Sequence, residues 1–553
     1  MKKREEKRNY LARVIIAIII IAAIAIIVYF KNPMTGKIVS ISDQSVSYET
    51  MKQVAKDLNK SLSANYWVRE GGFFYFDSSY CVQLINKIGN CAGINPDSPY
   101  GNLLLPINYN EGYLTESLFF PGSNMSSTFY FRSDEAIVLI GITPPESKFF
   151  SYIPYLAARN TGNLNKVAFQ INSELMEIVN YTLPYNLTRV MAEIGMPLND
   201  ELINTSRKLN GNYNGAFIIV MTADKSINSI IINQLKRDIL PKYNLNPSIV
   251  NTIQIPYNVL NLGYSNTSDV LIFLNRVAYA YNETTWKNYS KSPPISILRI
   301  VPNTPENKTS EKFLYEKLPS KETGVSENYL EGSLKVLFDA VLNSELNKNN
   351  NVFANGTSSV IGELMHFEIC TAFGIPCGGN DEDCMYTRIP NFYYQNNTED
   401  FLVVVGVNHN ATGKAGYNSY ALQNIDTGLG FASVKDKDFI GSAREYLPYI
   451  ENMNIPFITK NILIKNIDKF VVYKFKRDCK NENYCFSIPL DNFLCRNEKT
   501  GEAYYCQPPG SMGADLESPI AILERAYDDP LTNLGPSYNE VLPPHYIKFV
   551  PKA

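Results

Sequence analysis

The sequence lacks the motifs by which the commonest enzyme classes are recognised. It contains no Gly-x-Ser-x-Gly, no His-Glu-x-x-His and no Rossmann glycine fingerprint, and only three histidines occur in 553 residues. No Cys-x-x-Cys knuckle is present, which disfavours a zinc site. The net charge of -3 and the scattered Lys and Arg residues provide no basic stripe, so we expect no nucleic-acid partner. The sequence indicates neither a cofactor nor a metal, and it specifies no reaction.

Long apolar runs are also scarce, and one is present, from Val14 to Phe30. It is just long enough to cross a bilayer, and more Lys and Arg residues precede it than follow it. The positive-inside rule therefore places residues 1–13 in the cytoplasm and the body of the chain outside. A cleaved signal peptide is the alternative, but the run ends without a small-x-small cleavage site. We predict a single-pass signal anchor in the cell membrane at 14–30, followed by a tether at 31–45.

Nine cysteines and twelve Asn-x-Ser/Thr sequons agree with a location outside the cytoplasm. The cysteines form three clusters with the short spacing of local disulfides, so we expect Cys81 to pair with Cys91 and the cluster at 479–506 to pair within itself. The odd number leaves a thiol, which we expect in the middle cluster at 370–384. Roughly half of the sequons would arise by chance in so Asn-rich a chain, and the excess favours N-linked glycans.

The outer body is predicted to be α/β or α+β, because short β-rich runs alternate with amphipathic segments. The clearest elements are helices at 48–62, 226–239, 327–346 and 520–526 and strands at 216–222 and 249–255. A polar, Pro- and Lys-rich stretch at 306–326 is typical of a linker. We therefore predict a first lobe over residues 46–305 and a second lobe over 327–553, with a disulfide-rich C-terminal part.

Two segments of the chain resemble each other, at 134–141 and 399–406. Each has an acidic start, an apolar strand and a final glycine, and a lysine and two tyrosines follow at matching offsets: Lys148, Tyr152 and Tyr155, then Lys414, Tyr417 and Tyr420. An internal duplication would place both post-strand loops at one cleft between two similar lobes. The alternative is a hairpin pattern that recurs by chance in a Tyr-rich chain.

The polar loop after Gly406 is the main candidate for a catalytic site. His409 is suited to act as a general base near neutral pH, with Lys414 stabilising a developing negative charge. The loop superficially resembles a phosphate-binding P-loop, but Asn408 and Ala415 replace the required Gly and Ser or Thr. Because a loop residue contributes little core burial, we expect His409→Ala to leave the fold intact and to abolish the ligand response. The alternative is a surface turn in which Asn and His tolerate unusual dihedral angles.

Further side chains are candidates for binding a ligand. Convergent arginines would form an anion pocket, although internal ion pairs are the alternative, and tyrosines would line a site for a sugar or planar ligand unless they pack in the core. The acidic run Asp381–Asp383 lacks the spacing of a calcium loop and is interpreted as a solvated turn. The ligand-binding candidates are Arg132, Lys148, Tyr152, Asn408 and Tyr417.

Two classes of function fit these features. The first is a membrane-anchored extracytoplasmic glycoprotein with a binding or structural role at the cell surface. The alternative is a membrane-tethered, hydrolase-like enzyme that uses His409 and Lys414 between the lobes. Convergence of the Gly141 and Gly406 loops on one deep cleft would favour the enzyme.

Overall fold

The computed structural model describes residues 46–76, 95–108, 124–160, 187–207, 212–304, 310–348, 350–361, 370–371, 377–394, 399–489, 494–496, 503–505, 513–514 and 518–552. The predicted anchor and the predicted Cys81–Cys91 pair lie outside these ranges. Among the residues described, no helix has the length and apolar character needed to cross a membrane. Residues Ser45–Ala553 form one unit.

The first half of this unit, residues 46–304, is built on one long mixed sheet. The strands bond in the order β10-β9-β5-β12-β1-β2-β11-β6-β7, with β3 on β2, β4 on β11 and β8 on β6. They are β1 (Tyr66–Phe76), β2 (Tyr100–Pro106), β3 (Met125–Ser126), β4 (Thr128–Tyr130), β5 (Ala136–Ile142), β6 (Ser147–Asn160), β7 (Leu187–Glu193), β8 (Leu198–Asn199), β9 (Ala216–Thr222), β10 (Val250–Gln254), β11 (Val270–Ala280) and β12 (Ile295–Pro302).

The second half, residues 310–552, contains two five-stranded sheets. Their orders are β13-β24-β16-β19-β20 and β14-β15-β23-β17-β18, and β21 pairs with β22. The strands are β13 (Asn350–Thr357), β14 (Ser359–Val360), β15 (Cys384–Phe392), β16 (Phe401–Val407), β17 (Tyr417–Asn424), β18 (Leu429–Lys435), β19 (Phe470–Lys476), β20 (Cys485–Ser487), β21 (Leu494–Arg496), β22 (Ala503–Tyr505), β23 (Ile520–Tyr527) and β24 (His545–Pro551).

The α-helices of the described residues pack on these sheets or on one another. Helix α1 lies on β5 and β12 of the first half, and α4 lies on β16 of the second. The helices are α1 (Tyr48–Leu62), α2 (Lys225–Asn233), α3 (Glu283–Lys291), α4 (Glu331–Leu346), α5 (His409–Thr412), α6 (Asp436–Phe439), α7 (Leu447–Asn452) and α8 (Phe457–Lys465).

The two halves repeat the same strand order. The run β10-β9-β5-β12-β1 corresponds to β20-β19-β16-β24-β13, and β1-β2-β11-β6-β7 corresponds to β14-β15-β23-β17-β18. In both halves the outermost pair of the first run is parallel. The first strand also changes partner in both halves. In the first half, β1 pairs with β12 up to Gly71 and with β2 from Gly72 onward. In the second half, β13 pairs with β24, and the following strand β14 pairs with β15. A Cβ on Gly71 would lie 2.7 Å from the Leu104 carbonyl oxygen, so this crossing requires glycine.

The correspondence extends to the side chains of the central strands β5 and β16. In β5 the side chains of Ala136, Val138 and Ile140 pack in the cluster that contains α1, while Ile137 and Leu139 pack against β6 and β11. In β16, Val403 and Val405 pack in the cluster of α4, while their neighbours Leu402 and Val404 pack against β17 and β23. Each half therefore places a helix on one face of its first run of strands and the second run of strands on the opposite face.

The α/β class and most of the predicted elements are confirmed. The helix at 48–62 has the predicted bounds, and β9, α2 and β10 form the predicted βαβ unit, in which a π-helical turn at Gln234–Ile239 extends α2. The helix predicted at 327–346 is a 3-10 turn followed by α4. The helix predicted at 520–526 is wrong, because these residues form β23, which is buried between β15 and β17.

Residues 310–327, in the stretch predicted as a linker, pack along both halves. In the first half, the Lys312 ammonium contacts Asp224, and the Phe313 amide donates to the Ala223 carbonyl. In the second half, Lys321 pairs with Glu382 at 2.8 Å. This segment is ordered by ion pairs and backbone hydrogen bonds, and we call it the strap.

Two disulfides lie among the described cysteines, Cys370–Cys377 and Cys479–Cys485. Cys384 is free and buried, which confirms that the middle cluster holds an unpaired thiol. Burial raises the pKa of this thiol, so Cys384 behaves as a small core side chain rather than as a nucleophile.

Candidate functional site

A groove of about 610 Å³ lies in the first half, beside the ends of β1 and β11. Its volume is within the range of small-molecule sites. Phe73 and Phe74 of β1, Tyr279 of β11 and Trp286 of α3 provide aromatic surface, and prolines form part of its walls. Asp97 and polar residues at both ends of α3 complete the lining. The groove thus combines planar apolar faces with a small number of polar groups.

The indole of Trp286 is held in place from behind. It contacts Tyr75 edge to face with ring centroids 4.9 Å apart and stacks on Tyr289 at 5.9 Å. The Tyr289 hydroxyl donates to the Ile142 carbonyl at 2.9 Å, and the Tyr75 hydroxyl donates to Asn275 at 2.5 Å. Because both supporting phenols are fixed by hydrogen bonds, the indole is a rigid surface that loses little entropy on binding.

The rim of the groove touches the second half of the unit. Lys435 pairs with Asp97 at 3.2 Å and lies 4.0 Å from the centroid of the Tyr279 ring. Lys437 lies 4.8 Å from the same centroid. Burial raises the pKa of Asp97, and the Lys435 ammonium opposes that rise. Tyr279 itself has a left-handed φ of 48°, and both lysine ammonium groups lie within cation-π distance of its ring.

The two loops predicted to converge meet at Asp436. Lys148, which follows Gly141, pairs with the Asp436 carboxylate at 3.0 Å. Asn408, which follows Gly406, donates from Nδ2 to the Asp436 carbonyl at 3.1 Å and caps α5. Tyr417 lies nearby and stacks on Tyr527, which in turn contacts Phe149 of the first half. These contacts fill the junction with packed rings and an ion pair.

His409 lies apart from this junction and is fully buried. Its Nδ1 is 2.9 Å from Glu327 and its Nε2 is 3.2 Å from Glu524. Burial alone would lower the imidazole pKa, but the two carboxylates outweigh it and raise the pKa to about 10. His409 is therefore an imidazolium at neutral pH, and this arrangement supplies no general base.

Lys414 is also buried in an ionic cluster of its own. Its ammonium is 2.6 Å from Asp529 and 2.8 Å from Glu540, and it also contacts the Thr323 hydroxyl of the strap. Burial opposes ionisation of Glu540, but Lys414 and the backbone amides of Thr323 and Gly324 outweigh it and lower the Glu540 pKa to about 2. Lys148 pairs with Asp436 and not with this cluster, so the structure does not assemble His409, Lys414 and Lys148 at one cleft.

The remaining predicted residues occupy separate positions. The Arg132 side chain pairs with Asp134, and Tyr152 is buried in the core of the first half among aromatic rings. Other arginines also form internal pairs, such as Arg159 with Asp269 at 2.6 Å. The five ligand-binding candidates are thus brought together in part: Lys148, Asn408 and Tyr417 are near Asp436, and Arg132 and Tyr152 are elsewhere.

The acidic run at Asp381–Asp383 is not a solvated turn, because Asp381 and Asp383 are buried between the halves. Asn199 Nδ2 lies 2.8 Å from Asp383 and 3.3 Å from Asp528, and the guanidinium of Arg276 contacts Asp381. Burial raises the pKa of Asp383 and of Asp528 well above the usual range. Among the residues described, no group of acidic, histidine or cysteine side chains is arranged to hold a metal.

Sequence reasoning missed the groove. A signal was present, since Trp286 is one of two tryptophans and lies in an aromatic run with Tyr279, Tyr281 and Tyr289. That spacing alone does not distinguish a binding surface from packed core. Phe73 carried less signal, because it follows the point at which β1 changes partner, and that change is a tertiary feature.

Comparisons with known proteins do not assign the chain to a family. No family model matches the chain, and no curated protein matches it. Among solved structures, the chain is similar to the VPA0106 protein from Vibrio parahaemolyticus at 9% identity, with a TM-score of 0.32, over 92% of this chain and 99% of that chain. A likeness at this level indicates neither a shared fold nor a shared function.

Proposed function

We propose that the chain is a membrane-anchored extracytoplasmic binding protein that takes its ligand in the aromatic groove of the first half. The groove carries the proposal, because a rigid indole, further aromatic faces and a few polar groups surround a space of ligand size. The anchor at 14–30 and the sequons support a position outside the cytoplasm.

The composition of the groove favours a carbohydrate as the ligand. Sugars offer apolar C–H faces that rest on aromatic rings and hydroxyls that donate to carboxylates. Trp286 and Phe73 provide such faces, while Asp97 and Glu283 provide acceptors. Each of these carboxylates already pairs with a lysine, Asp97 with Lys435 and Glu283 with Lys287, and keeps further lone pairs that can accept from sugar hydroxyls.

We further propose that the two halves are lobes produced by duplication. The repeated strand order, the matching faces of β5 and β16, and the Pro-Pro pairs before β12 (Pro293, Pro294) and β24 (Pro543, Pro544) support this origin. The tethered hydrolase stays an alternative prediction without support from geometry, since its two residues His409 and Lys414 are buried in ion pairs.

The test is Trp286→Ala. Its matched control is Trp67→Ala, which replaces the other tryptophan of the first half. A glycan array identifies an oligosaccharide that binds, and calorimetry then measures its affinity. We expect Trp286→Ala to weaken binding about tenfold, because the stacking surface is lost. Trp67 is not part of the groove lining, so its replacement leaves affinity unchanged.

Two outcomes would contradict the assignment. Equal loss of affinity in both variants would indicate a general effect on the fold rather than contact with the ligand. Binding of no oligosaccharide on the array would remove the carbohydrate class, and a fragment screen showing no ligand at Trp286 would remove the groove as the site.

A further inference from the structure

Helix α3 borders the groove and begins at a sequon. Glu283, Trp286 and Ser290 of this helix line the groove, and Asn282 is the N-cap residue immediately before Glu283. The residues Asn-Glu-Thr at 282–284 form an acceptor sequence for N-linked glycosylation. The groove therefore has an attachment point for sugar at its edge.

The Asn282 side chain is arranged so that a glycan and the helix cap are compatible. Its Oδ1 accepts from the Thr285 amide at 2.9 Å and caps α3. The side chain is exposed, and its Nδ2 donates to no other described residue. Asn410 is the opposite case, because its Nδ2 donates to two backbone carbonyls. A sugar on Asn282 Nδ2 therefore breaks no hydrogen bond of the described structure.

A continuous aromatic surface joins Asn282 to the groove. Tyr281, the preceding residue, is 54% exposed, and its ring meets the ring of Tyr279 edge to face with centroids 6.0 Å apart. Tyr279 in turn lines the groove. Because the C–H faces of sugars rest on aromatic rings, a saccharide that starts at Asn282 has a surface to follow into the groove.

A second sequon on the same helix, at Asn288, faces the other way. Asn288 is exposed but is not part of the groove lining. At about 100° per residue, it lies on the side of α3 opposite to the residues that line the groove. Asn288 is thus a matched control, because it has the same chemistry on the same helix and points away from the groove.

We propose that Asn282 carries an N-linked glycan whose first sugars lie along Tyr281 and cover the groove at Trp286, where they compete with free ligand. This inference rests on the proposed carbohydrate ligand and on the proposed location outside the cytoplasm. The sugar donor is a lipid-linked oligosaccharide pyrophosphate. Asn282 Nδ2 forms a bond to C1 of the first sugar and loses a proton, while the bond from C1 to the pyrophosphate oxygen breaks and its electron pair leaves with the pyrophosphate.

The experiment uses the indole of Trp286 as the reporter. With Trp67→Phe as the background, Trp286 is the single tryptophan of the full chain, which is produced in a glycosylating secretory host. Asn282→Asp removes the sequon and keeps an oxygen for the helix cap. We expect mass spectrometry to find Asn282 occupied, and acrylamide to quench Trp286 at least about twofold more strongly in Asn282→Asp, because the indole is no longer covered. Asn288→Gln should leave the quenching unchanged.

A second measurement separates this proposal from the proposed function. Calorimetry with an oligosaccharide selected on the glycan array should give a Kd lower by at least about twofold for Asn282→Asp, because the attached sugar no longer competes. Shielding of Trp286 by the glycan, combined with no oligosaccharide binding by Asn282→Asp, would support the glycan contact and contradict the proposed function.

Three results would overturn the proposal and leave the groove as a ligand site. The first is an unmodified Asn282 in protein that is glycosylated elsewhere. The second is a glycosylated Asn282 with Trp286 quenched equally in the parent and in Asn282→Asp. The third is loss of shielding in Asn288→Gln to the same extent as in Asn282→Asp.

Discussion

The loops after Gly141 and Gly406 occupy the same place in the strand order but are closed by different kinds of interaction. After Gly141, the buried Thr143 hydroxyl donates to the Asn212 carbonyl at 2.5 Å and accepts from the Gly215 amide at 2.9 Å, so neutral hydrogen bonds close the loop. After Gly406, α5 places His409 between two buried carboxylates. One position in the fold is thus closed by neutral groups in one half and by charge in the other.

This difference shows why a polar loop at a strand end is a weak guide to chemistry. His409 and Lys414 have the residue types of a site, but their partners neutralise them from segments distant in the chain. The groove in the first half takes its planar surfaces from aromatic side chains, which carry no charge. His409 and Lys414 are therefore held in buried ion pairs, whereas the groove keeps some aromatic faces open.

The largest expected effect comes from His409→Ala. Removing the imidazolium leaves Glu327 and Glu524 buried and facing each other without a cation, which should cost about 3–5 kcal/mol of the free energy of unfolding. Thr143→Ala, at the corresponding loop, should cost about 1–2 kcal/mol. Urea unfolding of both variants measures the comparison. His545→Ala serves as the control, because His545 is partly exposed on β24.

A cost below about 1 kcal/mol for His409→Ala would contradict the ionic cluster. It would also restore the sequence-based expectation that the fold tolerates loss of this residue.

The second effect is a pH dependence with opposite signs in the two clusters. The folded-state pKa of His409 is raised to about 10, so its contribution is complete below the unfolded value of about 6.5 and is lost as the pH rises toward 10. The folded-state pKa of Glu540 is lowered to about 2, so its contribution is complete above about 4.5 and is lost as the pH falls toward 2.

Unfolding free energies from pH 3 to 10 measure both slopes. His409→Gln should flatten the alkaline slope and leave the acid slope, whereas Glu540→Gln should do the reverse. If His409→Gln leaves the alkaline slope intact, another group controls it and the pairing is wrong.

The smallest effect concerns glycans on the two halves. Asn266 is exposed in a loop before β11, whereas Asn410 in α5 donates from Nδ2 to the carbonyls of Ala415 and Gly416. A glycan on Asn410 would remove one of these donors. In a glycosylating secretory host, we expect mass spectrometry to find Asn266 occupied and Asn410 unmodified. Full occupancy at Asn410 would show that this turn forms after glycosylation.

Local patterns were sufficient for much of the fold. Helix α1 was predictable because its apolar residues repeat at helical spacing and Ser47 caps it. Strand β9 was predictable because six consecutive apolar residues fit a buried strand. The prediction of a helix at 520–526 was wrong because it also relied on local pattern alone. A short apolar run buried on both faces shows neither period clearly, and the neighbours β15 and β17 decide the outcome.

The candidate site could not be predicted in the same way. The burial of His409 depends on Glu327 and Glu524, which no local pattern connects to it. The resemblance of 134–141 to 399–406 did predict corresponding strands, because strand patterning is a local property. It did not predict what the following loops contact, because those contacts come from the strap and from β23.

The position of the last strand in each half has a consequence for the order in which the chain can fold. Strand β12 lies between β5 and β1, and β24 lies between β13 and β16, so each half inserts its final strand into the middle of a sheet. During synthesis from the N-terminus, the first half can close as soon as residue 302 has emerged. The second half must keep the edges of β13 and β16 open until the C-terminal strand arrives, and unpaired edges of this kind invite association. Synthesis therefore exposes unpaired strand edges of the second half for longer than those of the first half, so we expect the second half to be the more prone to associate before folding is complete.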